Sequence, residues 1–484
     1  MKMSSKNSES SLESHIADQL SKLHKYVGLD HKLQFGDNKD KADYDHTYHL
    51  CPKIVIDFIK NTQTELFDDY KKKYVEEAEN ILLKRIDSDL TNNGILNVLN
   101  NGVKVGDFTF QIIYTKPSLP NKKQIENYEK NQLYCLRQFK FEKESNKTID
   151  MAIFLNGILI FTIELKTNDK KQSTDDAKKQ YRDRPVNTAV LRHKRAIAHF
   201  AIDDLETFFT TKLEGKKTRW FPFNKEITDE NELRKGYKTR YIWEDIFGKD
   251  SLLEMIERFI FEDEEQNIIF PRYHQLDVVR KIVSAIKKEG TGNKYLIRHS
   301  TGSGKSNSIA WLAHRLSSFY LNQGDTDPYF TSVIILTNRK NLDNQISDIV
   351  SFFETQKNLV YRTDNKSSKD LLDALEKKKK IIISTIQKFV YLHENVETIK
   401  GNFAVIIDEV HETYSGPSYT ANLNKTIFDS DSSKEDPEDQ NIEEKKILEK
   451  LEKYPQPRNT SYFGFTGTPS ARTMKLFNHD PNSN

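Results

Sequence analysis

The chain has 484 residues, which is long enough for two or three domains that each bury a full hydrophobic core. Its 74 basic and 72 acidic side chains give a formal net charge of +2, so any nucleic-acid surface must be a local patch and not a global excess. Two cysteines are too few for a disulfide framework or a cysteine zinc site.

The first hundred residues have the composition and spacing of helices. The first helix has an apolar stripe at helical spacing, formed by Leu12, Ile16, Leu20 and Leu23. Glu13 lies on this helix, where it either assists a metal site or is a solvated carboxylate. Residues 1–14 are polar and contain no apolar signal core, and the longest apolar run, 149–165, is interrupted by charges. We therefore expect a cytoplasmic protein with no membrane span.

From Phe108 the pattern changes to alternating, β-rich segments. Strands are predicted over 108–114 and 134–141, and two longer apolar runs, 148–155 and 158–166, follow. Asn156-Gly157 between these two runs is a strong signal for a hairpin turn.

The register of this hairpin determines its chemistry. A plain two-residue turn would place Asp150 opposite Ile163 and would turn Glu164 to the other face. One extra residue, in the turn or in a β-bulge, would place Asp150 across from Glu164, with Lys166 on the same face. We predict this second register, which gathers the two carboxylates and the ammonium group in one place.

Two carboxylates and an ammonium group on one face suit a divalent cation and an attacking water. Asp150 and Glu164 are therefore candidate ligands of Mg²⁺, and Lys166 would orient the water or neutralise developing charge. The alternative is that these are edge-strand charges without a chemical role, because such residues are common where strands end.

The rest of the first half completes a mixed sheet with flanking helices. A charged helix is predicted over 175–184, a strand over 196–202, and further sheet segments near 208–212 and 220–224. Residues 1–225 would form one domain, and 226–265 a charged, mostly helical connector.

The second half alternates strands with helices, as a parallel sheet requires. Its first strand, ending at Arg298, enters a Gly-rich turn that opens a helix, which is typical of a phosphate-binding loop. The residues assigned to phosphate binding are Thr301, Gly302, Ser303, Gly304, Lys305 and Ser306. The Ser306 hydroxyl would also bind Mg²⁺. His299 stands where the loop pattern has its first glycine.

A second nucleotide signal follows the predicted strand 403–408. Asp408 would hold Mg²⁺ through water, and Glu409 would polarise the water that attacks the γ-phosphate. His411 closes this Asp-Glu-Val-His motif, and we assign it to the nucleotide site as well. Further strands are predicted over 332–337, 381–385 and 462–465.

Together these motifs resemble known families. Residues 299–306, 408–411 and 466–469 are similar to the first three motifs of superfamily two helicases, and Gln275 stands at the adenine-reading glutamine of that superfamily. Asp150…Glu164-x-Lys166 resembles the PD-(D/E)xK nucleases. The combination is similar to HsdR, the family of restriction subunits of type I restriction-modification enzymes.

The resemblance implies an α/β protein with a PD-(D/E)xK endonuclease domain over 1–225 and, after the connector, a RecA-like ATP-binding domain over 266–470. It implies ATP and Mg²⁺ as cofactors, double-stranded DNA as substrate, and the modification (methyltransferase) and specificity subunits as partners. It also implies ATP-dependent translocation and DNA cleavage in the full complex. Gln180 is the further catalytic residue that it suggests, with Arg184 where the family often has tyrosine.

The resemblance further implies an N-terminal fragment in which 471–484 begins a second motor lobe. That lobe supplies an arginine finger worth roughly 10³–10⁵ in rate, so we expect weak ATP binding and little hydrolysis. Two other readings stay open. The first is a helicase whose N-terminal domain only binds DNA, and the second is a catalytically silent chain that only binds partner subunits.

Overall fold

The structure, a computed structural model, describes residues 9–29, 44–119, 121–167, 172–229, 231, 236–300, 302–322, 324–337, 348–350, 359–363, 368–385, 399–408, 458–469, 474 and 477. The chain divides into two units, Met1–His274 and Gln275–Asn484. Among the described residues, none of the helices has both the length and the apolar character needed to cross a bilayer.

The first unit surrounds a sheet with helices. Its helices are α1 Glu9–His24, α2 Pro52–Thr62, α3 Thr64–Tyr74, α4 Ala78–Asn92, α5 Ile95–Asn101, α6 Lys122–Glu129, α7 Thr174–Arg182 and α8 Lys249–Arg258. Its strands are β1 Val27–Leu29, β2 Val103–Val105, β3 Phe108–Phe110, β4 Leu133–Phe139, β5 Ile149–Leu155, β6 Ile158–Leu165, β7 Ala198–Ile202, β8 Thr207–Thr210, β9 Phe221–Pro222, β10 Phe261–Glu262 and β11 Ile268–Ile269.

Seven of these strands form one mixed sheet in the order β1-β4-β5-β6-β7-β8-β9. β4, β5 and β6 are antiparallel neighbours, whereas β6 and β7 run parallel. Every residue of β6 is buried, and so is nearly every residue of β5. The two strands are therefore covered on both faces, which is why they appear in the sequence as continuous apolar runs.

The turn between β5 and β6 has the predicted geometry. Asn156 and Gly157 both have positive φ, 48° and 87°, as a two-residue hairpin turn of this kind requires. The turn packs under α2, because a Cβ built on Gly157 would lie 2.7 Å from Val55 Cγ2 and 2.8 Å from the Cys51 carbonyl oxygen. Asn156 is buried and its amide donates to the Ile112 carbonyl oxygen at 2.9 Å.

Part of the predicted connector is buried in the first unit. A short π-helix, Ile242–Ile246, precedes α8, and the side chains of Ile242, Trp243 and Phe247 are buried. The ring of His24 in α1 is 2.9 Å from the Trp243 carbonyl oxygen, and Tyr26 donates to the Phe247 carbonyl oxygen at 2.8 Å. The domain limits drawn from the sequence stay a prediction.

The second unit contains the parallel sheet that the alternation of strands and helices predicts. Its helices are α9 Tyr273–Glu289, which starts at the boundary, α10 Lys305–Ser317 and α11 Ser368–Glu376. Its strands are β12 Lys294–Arg298, β13 Ser332–Thr337, β14 Val360–Arg362, β15 Ile381–Thr385, β16 Phe403–Ile407 and β17 Thr460–Thr466. The order is β12-β17-β16-β13-β15-β14, with every neighbouring pair parallel. The carboxyl ends of all six strands therefore meet at one edge.

Candidate functional site

A β-bulge sets the register of the β5–β6 hairpin. The turn pairs Leu155 with Ile158, as a two-residue connection does, and the register then shifts so that Ile153 pairs with Phe161. Pairing continues to Met151 opposite Ile163, so Asp150 is the next residue and lies across from Glu164. The predicted bulge is thus confirmed.

Asp150, Glu164 and Lys166 lie together at the end of this hairpin. The backbone N–H of Leu165 donates to Asp150 Oδ2 at 2.7 Å, which fixes the carboxylate next to β6. The side chains of Glu164 and Lys166 are almost wholly buried, with 0% and 4% of each residue exposed. The hairpin therefore brings three ionisable groups into a site with little access to water.

Arg184, just after α7, is the partner of Glu164. Its Nη2 donates to Glu164 Oε1 and also to the Thr148 carbonyl oxygen at 2.7 Å. Glu164 Oε2 is buried and accepts no hydrogen bond from the described residues. Sequence reasoning noted Arg184 only as a departure from a family pattern and did not predict that it contacts the carboxylate.

Glu9, the first residue of α1, pairs with the Lys166 ammonium group. Lys166 Nζ also donates to the Leu165 carbonyl oxygen at 2.8 Å. Glu13, one turn further along α1, is neither solvated nor at this site. It is buried and accepts from Arg137 Nε at 2.6 Å and Gln138 Nε2 at 2.7 Å. The predicted helix is confirmed, but both roles considered for Glu13 are wrong, because its carboxylate is buried and paired with Arg137 and Gln138.

Burial makes it costly for both carboxyl groups to be ionised at once. It raises the pKa of Asp150, against the opposing effects of the Leu165 N–H and Lys166. It raises the pKa of Glu164 further, well above the ordinary value, because the nearby Asp150 charge acts in the same direction while Arg184 and Lys166 oppose it. A divalent cation between the two groups would favour the ionised forms.

The donor set fits Mg²⁺ on chemical grounds. Carboxylate oxygens are its preferred protein ligands, and the ion often binds through one or two carboxylates while it keeps several waters. Within the described ranges, no cluster of three or more His, Cys, Asp or Glu side chains could hold a metal ion. Asp150 and Glu164 are therefore a two-carboxylate candidate set, to which water would have to supply the other ligands.

Gln180 lies apart from this arrangement. It is exposed on α7, whereas its neighbour Tyr181 is fully buried. The Tyr181 hydroxyl is 2.8 Å from Thr162 Oγ1, which is 2.7 Å from His199 Nδ1. The catalytic role assigned to Gln180 stays a prediction, and α7 instead directs Tyr181 towards β6.

The Gly-rich loop of the second unit joins β12 to α10. Gly302 and Gly304 have φ of 76° and 80°, in the region that favours glycine, and Gly304 precedes the first residue of α10, Lys305. Gln275 Nε2 donates to the Gly304 carbonyl oxygen at 2.9 Å and to that of Ser303 at 3.2 Å. A Cβ on Gly304 would lie 2.5 Å from Gln275 Nε2, so the glycine permits this close approach.

His299 fits the loop without the backbone freedom of a glycine. Its φ is not in the left-handed region, and its N–H donates to the Thr466 carbonyl oxygen at 2.8 Å. The ring is buried, lies 3.2 Å from Ser303 Oγ and packs edge-on against Phe465. The loop therefore accommodates histidine in place of the first glycine, because the imidazole ring packs into the interior.

Asp408 stands at the same edge of the sheet as the loop. It is buried directly after β16, and its N–H donates to the Leu336 carbonyl oxygen of β13 at 3.0 Å. β17 is the one strand between β16 and β12. Ser306 is at the start of α10, and three predicted site residues, Thr301, Glu409 and His411, lie outside the described residues.

Two family models match the chain. Residues 6–218 match the Type I restriction enzyme R protein N terminus, and residues 274–480 match the SWI2/SNF2 ATPase. The first match lies within the first unit, and the second match covers most of the second unit. The resemblance to HsdR, the restriction subunit of type I restriction-modification enzymes, is confirmed.

Individual relatives agree with this assignment. The chain is 26% identical over 326 residues to a Methanocaldococcus jannaschii protein named as the MjaVIIIP endonuclease subunit, covering 61% of this chain and 28% of that protein. It is 27% identical over 365 residues to the type I restriction enzyme SauMSSORF170P endonuclease subunit of Staphylococcus aureus strain MSSA476, covering 70% and 32%. The chain thus spans about three tenths of the length of these relatives.

Among solved structures, the UvsW helicase from bacteriophage T4 is similar to 48% of this chain and to 65% of its own chain, with 13% identity and a TM-score of 0.29. The fold of the second unit is established by its own strand order and by the position of its Gly-rich loop.

Proposed function

We propose that the first unit cleaves DNA phosphodiester bonds with Mg²⁺. The observation that supports this most directly is the bulge, which places Asp150 across from Glu164 and beside Lys166 in a buried site. Arg184 and Glu9 pair with Glu164 and Lys166, but Glu164 Oε2 is buried and accepts no hydrogen bond from the described residues, which supports a role for this oxygen as a cation ligand.

Each residue has a distinct role in this proposal. Asp150 and Glu164 would hold the ion, which supplies Lewis acidity towards the phosphate and makes hydroxide available. The Leu165 N–H keeps Asp150 oriented towards the site. Lys166, when it leaves Glu9, places a positive charge where negative charge develops on the phosphate.

For the second unit we propose ATP binding at the carboxyl edge of its sheet. The N-terminus of α10, with Gly302 and Gly304 before it, provides backbone N–H groups for phosphate oxygens. Lys305 would reach the outer phosphates, and Ser306 with Asp408 would hold Mg²⁺. The contacts of Gln275 with the loop couple the start of α9 to the phosphate site.

For the whole protein we propose the restriction subunit of a type I restriction enzyme, an ATP-dependent endonuclease that acts on double-stranded DNA. The relatives are named as endonuclease subunits of such enzymes, which supports this proposal. Its partners would be the modification and specificity subunits, and translocation would use the ATPase lobe.

Lys166→Ala tests the proposal on the full chain with supercoiled plasmid DNA and Mn²⁺ or Mg²⁺. We expect nicking to fall at least about a hundredfold while binding of a fluorescent ATP analogue is unchanged. Lys147→Ala, which removes an exposed charge just before β5, is the matched control and should cut like the wild type.

The cleavage assay also separates this proposal from a first domain that only binds DNA. Equal cleavage by Lys166→Ala and wild type would overturn the assigned nuclease site. A wild-type chain that binds duplex DNA but never cuts it, even with partner subunits and ATP present, would favour the reading in which the first domain only binds.

A further inference from the structure

Arg184 is a fixed charge within the site of the first unit. Only 6% of its side chain is exposed, and its guanidinium lies 5.2 Å from the centre of the Phe141 ring and 5.8 Å from that of Tyr181. Its Nη2 bridges Glu164 Oε1 and the Thr148 carbonyl oxygen, so it joins the start of β5 to the end of β6. Two rings and two oxygens therefore hold the guanidinium beside Glu164.

Among the described residues, the charged groups near the carboxylate pair come from several neighbouring elements. Asp150 is in β5, Glu164 is in β6, Lys166 directly follows β6, and Glu9 is in α1. The segment after α7 contributes Arg184. Lys166 is paired with Glu9, so among the described residues Arg184 is the cation in direct contact with Glu164.

We propose that Arg184 is a positioning residue that occupies Glu164 in the metal-free protein and competes with the divalent cation for it. The inference rests on the proposed Mg²⁺ site. Arg184 links the start of β5 to the end of β6 through Thr148 and Glu164. It weakens metal binding, because a like charge stands beside the ligand and because Glu164 Oε1 is already engaged.

Binding of Mn²⁺ to the full chain, measured by titration calorimetry, tests this. Arg184→Gln removes the charge, and we expect Mn²⁺ affinity to rise by about tenfold or more. Arg184→Lys keeps the charge and should stay within about threefold of the wild type. Lys179→Gln, which removes an exposed charge from α7, should leave the affinity unchanged.

A measurement on the wild type covers the case in which Arg184→Gln does not fold. The guanidinium NMR signal of Arg184 is assigned by its loss in Arg184→Lys. In a titration of the wild type with Mg²⁺, this signal should shift over the same Mg²⁺ concentrations at which the site becomes saturated. A resonance that stays fixed while the ion binds would overturn the inference.

The outcomes separate this inference from the proposed function. If wild type binds Mn²⁺ and a folded Arg184→Gln binds it equally or more weakly, Arg184 does not compete with the ion. The proposed metal site is then unaffected. Absence of Mn²⁺ binding by both proteins overturns the metal site itself and the inference with it.

Discussion

Replacing Asp150 with Asn tests whether the buried carboxylate pair is a cation site. Asn keeps an oxygen that can accept from the Leu165 N–H, 2.7 Å away, but removes the charge beside Glu164. Because burial raises the pKa of Asp150 and Glu164 in the fold, their contribution to stability is present at low pH and is lost as the pH rises through the raised values. Each unit by which folding raises a carboxyl pKa lowers the free energy of unfolding by about 1.4 kcal/mol, once the group is ionised in both the folded and the unfolded chain.

Without divalent ions, we therefore expect Asp150→Asn to lose less stability than wild type as the pH is raised from about 4, near the ordinary carboxyl pKa, to 8. With Mg²⁺ present, we expect the wild type to gain more stability than Asp150→Asn. At a hundred times Kd, a bound ion adds about 2.7 kcal/mol to wild-type stability, or roughly 5–10 °C in Tm, and it should add little to the variant.

Thermal unfolding with and without Mg²⁺, across this pH range, is the assay. Asp68→Asn removes an exposed carboxylate from α3 and should behave as wild type. If Asp150→Asn gained as much from Mg²⁺ as the wild type does, the ion would be bound elsewhere and the reasoning would fail.

Three further predictions concern the loop and the turn. Lys305→Ala should weaken binding of a fluorescent ATP analogue at least tenfold, with Lys287→Ala on α9 as the exposed control, and equal affinities would contradict the assignment of the loop. Gly304→Ala should weaken that binding more than Gly302→Ala, because a Cβ would meet Gln275 only at Gly304, and the reverse order would show that the contact is irrelevant. Gly157→Ala should lower the free energy of unfolding by about 1–3 kcal/mol, because φ is 87° and a Cβ would meet Val55. Chemical denaturation measures this change, and Gly28→Ala, which has open space, should have little effect.

The sequence predicted the parts of the site that are local. Asn156-Gly157 indicates a turn by its chemistry, and the buried charges on β5 and β6 favour one register over the other. The Gly-rich loop is similarly contained in a few consecutive residues, and the alternation after it predicts parallel strands.

The parts that were missed depend on long-range contacts. Glu9 meets Lys166 across 157 positions, and nothing in the spacing of α1 distinguishes it from Glu13. Arg184 reaches Glu164 from the segment that follows α7, and that position depends on how the helix packs on the sheet. The strand order of the second unit is likewise set by packing and not by any local signal.

Because of the extra residue in the β5–β6 ladder, the position of the two acids depends on the number of residues between them more than on which aliphatic residues these are. Exchanging one aliphatic residue for another between positions 150 and 164 alters volume only. Deleting or inserting a single residue would exchange the two faces to which successive side chains point. One of the two acids would then lie on the opposite face of the sheet. Relatives that keep this chemistry should therefore exchange aliphatic residues along these strands, while they conserve the turn residues and the number of residues between the two acids.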